Sequence, residues 1–103
     1  MRIGAIAAAL AGAALAPAAA LAAPKPGDTI SVTACVRPGV EAACLIVRGA
    51  DGTVFNVTSA NPKPPLDVVI ELRGTATDKV SACNQGVVLD HISWTATRRK
   101  CPN

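Results

Sequence analysis

Length, composition and charge restrict this chain to a narrow class of proteins. Its 103 residues suffice for one small domain, and ten Lys and Arg against seven Asp and Glu give a net charge of +3, which is too mild to imply an electrostatic partner. Phe55 and Trp94 are the only aromatic residues. The chain therefore lacks the stacking side chains with which proteins bind single-stranded nucleic acid, and no nucleic-acid partner is expected.

The first 22 residues have the layout of a cleaved secretory signal. Arg2 provides a basic tip, residues 3–15 are an uncharged apolar run, and small residues continue to Ala22, which is the three-part pattern of a signal peptide. A membrane-spanning helix needs roughly 20 apolar residues, and Pro17 ends this run too early. We therefore expect cleavage after Ala22, export to the periplasm or the medium, and no membrane span in the mature chain.

The mature chain, residues 23–103, is expected to be a single domain with a sparse core. It keeps nine basic residues, because only Arg2 is lost, and all seven acidic residues, so its net charge is about +2. A core of this size supplies only roughly 3–5 kcal/mol of net stability. Crosslinks are therefore expected to stabilise the fold.

The first predicted strand covers residues 28–36. Its even-numbered residues from Ile30 to Val36 are apolar and its odd-numbered residues are Thr, Ser or Cys, an alternation typical of a half-buried strand. Cys35 then lies on the outer face. The following residues 37–39, Arg-Pro-Gly, predict a turn, because proline presets φ and glycine tolerates positive φ.

An Asp-Gly pair between two apolar runs predicts a β-hairpin over residues 44–59. A two-residue turn would set Arg48 opposite Phe55. A three-residue turn over residues 50–52 sets Val47 opposite Phe55 instead. We prefer the second turn because it keeps the apolar side chains on one face.

Two more strands follow a proline-rich connector. Residues 60–66 contain three prolines and cannot continue a sheet. Residues 68–72 alternate and predict a fourth strand that stops near Gly74. The last strand, residues 87–97, keeps its apolar side chains on one face only if a one-residue bulge lies at residues 90–91.

Five short strands without an amphipathic helix predict an all-β fold. Two hairpin-like connections and one longer connector fit a small five-stranded Greek-key barrel of the OB type. An SH3-like barrel or an open meander fits the pattern nearly as well.

Four cysteines in an exported domain predict two disulfides. Their spacings of 9, 39 and 18 residues lack the close pairs of structural zinc sites. Three connectivities are open on the sequence alone. In an OB arrangement the first-to-second and fourth-to-fifth loops share one end of the barrel, which favours Cys44 with Cys83. Cys35 is then left for Cys101.

Several short motifs resemble a known family. Over roughly residues 33–92 the chain is similar to a family of small, uncharacterised bacterial exported domains, through Gly39-Val40-Glu41-Ala42-Ala43-Cys44-Leu45, Asp51-Gly52-Thr53, Phe55, Gly74 and Cys83-Asn84-Gln85-Gly86. The resemblance implies an OB-like β-barrel and the kinship of Cys44 with Cys83. It assigns no catalytic residue and no ligand.

The sequence contains no recognisable catalytic or metal-binding set. His91 is the only histidine, so no second imidazole completes a typical metal site, and we expect it to face solvent or lie in the bulge. The seven carboxylates are scattered singly, and no pair has a spacing typical of acid/base chemistry. The chain is therefore not expected to be an enzyme or to hold a metal or another cofactor.

The candidate binding loop follows from the expected barrel, since OB domains bind at the end formed by residues 37–43 and 79–86. Its candidate residues are Arg37, Glu41, Asn84 and Gln85. Residues 98–100, Arg-Arg-Lys, are expected to be a solvated tail. The sequon at residues 56–58 is interpreted as coincidence in a bacterial-type exported protein.

The resulting hypothesis is a non-catalytic exported binding or interaction module. Its partner would be a protein, a glycan or a small molecule. The alternative is a small exported enzyme inhibitor or effector that docks through a rigid, disulfide-framed loop.

Overall fold

The computed structural model describes residues 23–102, which form an all-β domain. Its strands are β1 (Thr29–Cys35), β2 (Arg37–Pro38), β3 (Leu45–Arg48), β4 (Val54–Asn56), β5 (Val68–Thr77) and β6 (Val87–Lys100). The predicted signal, residues 1–22, lies outside the described residues. Within residues 23–102, no helix has the length and hydropathy needed to cross a membrane.

All six strands belong to one mixed sheet with the order β1-β5-β6-β4-β3-β2. Neighbouring strands are antiparallel except β4 and β6, which run parallel. Hydrogen bonds do not close this sheet, because β1 and β2 are its two edges. These edges are nevertheless consecutive in the sequence and are separated by Val36 alone. The two edges of the sheet must therefore lie close together at Val36, which means that the sheet is strongly curled.

The expectation of five strands is wrong by one, because the expected turn at residues 37–39 begins with strand β2. Arg37 pairs with Ile46, and Pro38 pairs with Leu45. Proline is compatible with this position because β2 is an edge strand, where a missing N–H breaks no inner ladder. The fully buried Val36 anchors the bend between β1 and β2 in the core.

The predicted alternation of apolar residues is confirmed by the core. Its buried members come from five parts of the chain: Val36, Val47, Phe55, Val57, Ile70, Leu72, Ala76 and Leu89. Half-buried apolar residues of β1, including Ile30 and Val32, pack against them. Trp94 also packs against this core, and its Nε1 donates to the Pro62 carbonyl at 2.8 Å. The proline-rich connector thus covers one side of β6.

The hairpin register is confirmed. Val47 lies opposite Phe55, and Gly49 N–H donates to the Thr53 carbonyl at 2.8 Å. Gly52 has φ of +92°, the left-handed conformation that a glycine bulge needs. The three-residue turn over residues 50–52 therefore forms as expected.

The bulge in the last strand is confirmed. The expectation that the preceding strand stops near Gly74 is wrong. Thr75 pairs with Asp90 but Arg73 pairs with Ser93, and His91 has φ of +51°. The strand β5 continues to Thr77 and does not stop near Gly74. A Cβ on Gly74 would lie 3.2 Å from the Asp90 carbonyl oxygen. Glycine is present here because the bulge packs closely against it.

Both predicted disulfides are confirmed: Cys35 bonds Cys101, and Cys44 bonds Cys83. Residues 98–100 are exposed, as expected of a solvated cluster, but they are not a tail, because they form the end of β6. Lys100 pairs with Val68, and Cys101 N–H donates to the Asp67 carbonyl at 2.9 Å. The disulfide to Cys35 holds this end against the sheet.

Candidate functional site

Two loops meet at one end of the domain. Loop A (residues 39–44) connects β2 to β3, and loop B (residues 78–86) connects β5 to β6. The disulfide between Cys44 and Cys83 joins them with a Cα–Cα distance of 5.7 Å. A second link is the Val40 N–H, which donates to Gln85 Oε1 at 2.9 Å. The two loops that carry most of the candidate residues thus form a single surface.

Loop A is a tightly closed turn. Gly39 N–H donates to the Cys44 carbonyl at 2.7 Å, and Cys44 N–H donates to the Glu41 carbonyl at 3.2 Å. A Cβ on Gly39 would lie 2.9 Å from both Cys44 Cβ and Gln85 Oε1, so the close approach of the loops requires glycine here. Ala43 has φ of +67°, a conformation that costs a non-glycine residue free energy. The surrounding contacts hold the loop in this shape.

Loop B is fastened from beneath by the buried side chain of Asn56, which is 2% exposed. Its Nδ2 donates to the Cys83 carbonyl and, at 3.4 Å, to Ser81 Oγ. Its Oδ1 accepts the Thr58 N–H at 3.1 Å. Because both ends of the carboxamide are satisfied, Asn56 can be buried without leaving an unpaired polar group.

Asn56 is a residue whose role the sequence analysis missed. In the sequence, Asn56 stands out only as the first residue of the sequon at residues 56–58. Its burial makes the side chain inaccessible for glycosylation. The available signal was a polar amide between two strongly apolar neighbours, Phe55 and Val57, in the second arm of the predicted hairpin.

The four candidate binding residues differ in their surroundings. Gln85 holds loop A through its carboxamide, and Asn84 and Glu41 are exposed on loops B and A. Arg37 belongs to β2, and its guanidinium donates to the Pro102 carbonyl at 3.5 Å. Gln85 is therefore a positioning residue, and Arg37 is directed toward the C-terminal segment.

Of the large apolar side chains in residues 23–102, the two most exposed lie on these same loops. Val40 of loop A is 87% exposed and Val80 of loop B is 98% exposed. A groove of about 390 Å³ adjoins Val80 and is bounded on its other side by Pro24 and Pro26. The sequence analysis did not single out either valine, since one isolated aliphatic residue between polar neighbours carries no periodic signal.

An ion pair fixes the base of loop B to β6. Lys79 Nζ lies 2.7 Å from Asp90 Oδ2. The hydrogen bond from Lys79 lowers the pKa of Asp90 below its usual value, and the His91 N–H adds to this effect. The same bond and the negative charge of Asp90 raise the pKa of Lys79. Lys79 is exposed and Asp90 is half-buried, so solvent screens part of their attraction.

His91 itself is exposed in the bulge of β6. Its backbone N–H donates to Asp90 Oδ1 at 3.2 Å, and the other oxygen of that carboxylate accepts from Lys79. Within residues 23–102, no three His, Cys, Asp or Glu side chains cluster in a way that could hold a metal ion. The exposed side chains of loops A and B are of three kinds: aliphatic Val40 and Val80, the amide of Asn84, and charged Glu41, Asp78 and Lys79.

Comparison of the chain with protein-family models, with curated proteins and with solved structures finds no match. The resemblance to a family of small exported domains thus stays a prediction. What can be said of function rests on the geometry of the two loops.

Proposed function

We propose that this chain is an exported, non-catalytic binding module that docks on a protein through the tips of loops A and B. The observation that carries the proposal is the exposure of Val40 and Val80 on two loops that a disulfide joins. Burying a valine side chain contributes about 1.5–3 kcal/mol. A partner that covers both valines gains an apolar contact from each of the two joined loops.

The rigidity of the surface supports the same proposal. The Cys44–Cys83 disulfide, the Gln85 contact and the buried Asn56 all restrict the loops before any partner arrives. Ordering flexible groups on binding costs affinity, so a restrained loop loses less free energy when it docks.

A protein is the favoured class of partner. Sugar rings and nucleobases are commonly held by stacking on aromatic side chains. Phe55 is buried in the core, and Trp94 lies against the proline-rich connector. Branched aliphatic tips beside exposed amides instead match the mixed surface of a protein interface.

The proposed fold is a curled, OB-like barrel. The strand order places β1 and β2 at opposite edges although only Val36 separates them, so the two can be treated as halves of one bent strand. The parallel pair β4 and β6, with β5 returning to β1, then supports the Greek-key connectivity of that fold. Loops A and B correspond to the loops at which OB domains bind.

Export to the periplasm or the medium completes the proposal. It rests on the signal pattern of residues 1–22 and on two disulfides, because disulfides persist in oxidising compartments.

A second candidate function uses the same surface. Loop A is closed by the Gly39 to Cys44 hydrogen bond and carries Val40 at its tip with nearly complete exposure. Such a restrained loop is suited to fill an apolar pocket of an enzyme, so the chain would act as an exported inhibitor or effector. In that case Val40 contributes more to docking than Val80.

Affinity capture with matched variants tests both candidates. The oxidised protein is immobilised and exposed to the envelope extract of its own cells, beside Val40→Asp, Val80→Asp and the control Leu66→Ser. Leu66 is 47% exposed but belongs to the proline-rich connector. We expect one protein to be retained by the wild type and the control and to be lost with both aspartate variants.

The outcomes separate the candidates. If the retained protein is an enzyme that the wild type inhibits and Val40→Asp does not, the inhibitor function is supported. If no protein distinguishes the wild type from the valine variants, docking through the loop tips is excluded. Equal loss with Leu66→Ser would also exclude it, because it would show nonspecific apolar adsorption.

A further inference from the structure

The edge strand β1 has an unpaired side that the loop surface does not involve. Within residues 23–102 it pairs with β5 alone, since it is the terminal strand of the sheet. Proteins usually protect such an edge with Lys, Pro or a bulge, because free backbone groups attract another strand. The seven residues of β1, Thr29–Cys35, contain no charged residue and no proline. This edge therefore lacks the side chains that usually prevent another strand from pairing with it.

The register shows which backbone groups face the open side. Ala76 N–H donates to the Asp28 carbonyl at 2.9 Å, and Ile30 is opposite Gly74. In an antiparallel pair the residues that bond the partner alternate with residues that do not. The N–H and C=O groups of Ser31 and Thr33 accordingly point away from β5.

A groove runs along this open edge, and we call it the edge slot. It has a volume of about 570 Å³ and lies between residues 29–33 of β1 and residues 49–51 of the hairpin turn, with Phe55 at its base. Ile30 and Val32 are half-buried beside it.

We propose that the edge slot binds an extended peptide segment with basic residues, which adds to β1 as an extra strand. In such strand addition, main-chain hydrogen bonds supply affinity and alternate side chains supply specificity. The outward groups of Ser31 and Thr33 provide the hydrogen bonds. Ile30, Val32 and Phe55 provide an apolar floor for every second side chain of the peptide.

The charge in the slot selects the kind of peptide. Among the lining residues in the described part of the chain, Asp51 alone is charged. Its Oδ1 accepts the Thr53 N–H at 3.0 Å, and this bond lowers the pKa of Asp51, so the carboxylate is ionised at neutral pH. A Lys or Arg side chain of the peptide complements it.

A second copy of the chain is a poorer occupant than a single strand. The free edge of β1 is flanked by the turn at residues 49–51 of the same molecule. If two copies joined edge to edge, each turn would obstruct the approach of the other sheet. An isolated extended segment enters the slot without that obstruction.

The test uses a capped synthetic pentapeptide, Lys-Val-Thr-Val-Lys, added to the isotope-labelled, oxidised protein. We expect the amide signals of Ser31 and Thr33 to shift and their hydrogen exchange to slow by about tenfold or more at saturation. The matched peptide Glu-Val-Thr-Val-Glu is expected to bind several-fold more weakly, and Lys-Val-Pro-Val-Lys more weakly still, because proline removes a donor.

A protein variant isolates the backbone contribution. Ser31→Pro removes an N–H that faces the slot and leaves the ladder to β5 intact, so we expect about tenfold weaker binding of the lysine peptide. Ser31→Ala keeps the N–H and is expected to bind as the wild type does. If Ser31→Pro fails to fold, the exchange protection of Ser31 and Thr33 in the wild type decides the question.

Three outcomes would overturn the proposal. The first is that no amide of β1 responds to the lysine peptide, and the second is that the response maps to loops A and B. The third is protection of Ser31 and Thr33 without peptide, together with a doubled molecular mass, which would identify a second copy as the occupant. The first and third outcomes do not involve Val40 and Val80, and the second leaves docking through the loops in place, so the two proposals fail separately.

Discussion

The two disulfides crosslink very different parts of the molecule. Cys35 and Cys101 are half-buried and lie at strand ends, where Cys35 pairs with Val69 across the sheet. Cys44 and Cys83 are 4% and 6% exposed and join two loops that share no strand ladder. The first bond therefore reinforces positions that the sheet already holds. The second is itself a main determinant of how loops A and B are arranged.

Removing each disulfide in turn is the strongest way to separate these roles. The bonds span 66 and 39 residues, so in the chain-entropy model each loss lowers the free energy of unfolding by about 4 kcal/mol. We compare Cys35→Ala/Cys101→Ala with Cys44→Ala/Cys83→Ala by urea denaturation at about 15 °C, where small domains are most stable.

Removal of the two disulfides should affect partner binding unequally, although it lowers stability by similar amounts. We expect the partner captured by the wild type to bind the Cys35→Ala/Cys101→Ala variant while it remains folded, and to be lost with Cys44→Ala/Cys83→Ala. Equal retention of the partner by both folded variants would show that the second disulfide does not determine the loop geometry.

The buried Asn56 gives the next largest effect. Asn56→Ala removes one of the two hydrogen bonds to the Cys83 carbonyl, which keeps the Gln85 N–H, and leaves the Thr58 N–H without its partner. This loss is expected to cost about 1–3 kcal/mol in the free energy of unfolding. The exposed Asn84 of loop B is the matched control, and Asn84→Ala should change stability by less than about 0.5 kcal/mol. Urea denaturation measures both, and similar values for the two variants would contradict the role assigned to Asn56.

Two residues with positive φ, one in a loop and one in the sheet, are expected to have smaller effects on stability. Ala43 lies in loop A and His91 in the bulge of β6. Ala43→Gly is expected to stabilise the protein by about 0.5–1 kcal/mol, because glycine adopts this conformation without strain. His91→Gly should stabilise it less, since histidine is among the residues that tolerate the left-handed region. Thermal unfolding distinguishes the two, and Ala42→Gly serves as the control for added chain entropy.

The smallest expected effect concerns acid stability at the base of loop B. The pKa of Asp90 is lowered from its usual value of 3.8 in the folded protein. Its contribution is therefore present above pH 3.8 and is lost as the pH falls through the lowered folded value. Asp90→Asn should make the unfolding free energy less dependent on pH below about 4. An unchanged pH profile in urea titrations would show that the Lys79 pair contributes nothing measurable.

Local patterns predicted the parts of the fold in which neighbouring residues decide the structure. The alternation of β1, the three-residue turn before Phe55 and the bulge at His91 follow from which side chains must share a face. The pairing of Cys44 with Cys83 followed from an assumed strand topology. The strand at residues 37–38 and the continuation of β5 past Gly74 could not be predicted, because each depends on a distant strand.

The candidate site was predictable only in its location. The sequence analysis named Glu41, Asn84 and Gln85 in the two loops, and the structure places these loops together. It did not identify Asn56, whose partners in loop B are 25 and 27 residues away in the chain. Nor did it identify Val40 and Val80, because exposure of a single aliphatic side chain is a property of the folded surface.

The amino-acid sequence by itself determined the all-β character, the register of the hairpin and the number of disulfides, since these depend on side-chain periodicity and on the count of cysteines. Only the tertiary structure decided that the sheet has six strands and open edges, that a buried amide holds loop B, and that two valines remain in solvent. Each of these results from contacts between residues that are far apart in the chain, and no local pattern encodes such contacts.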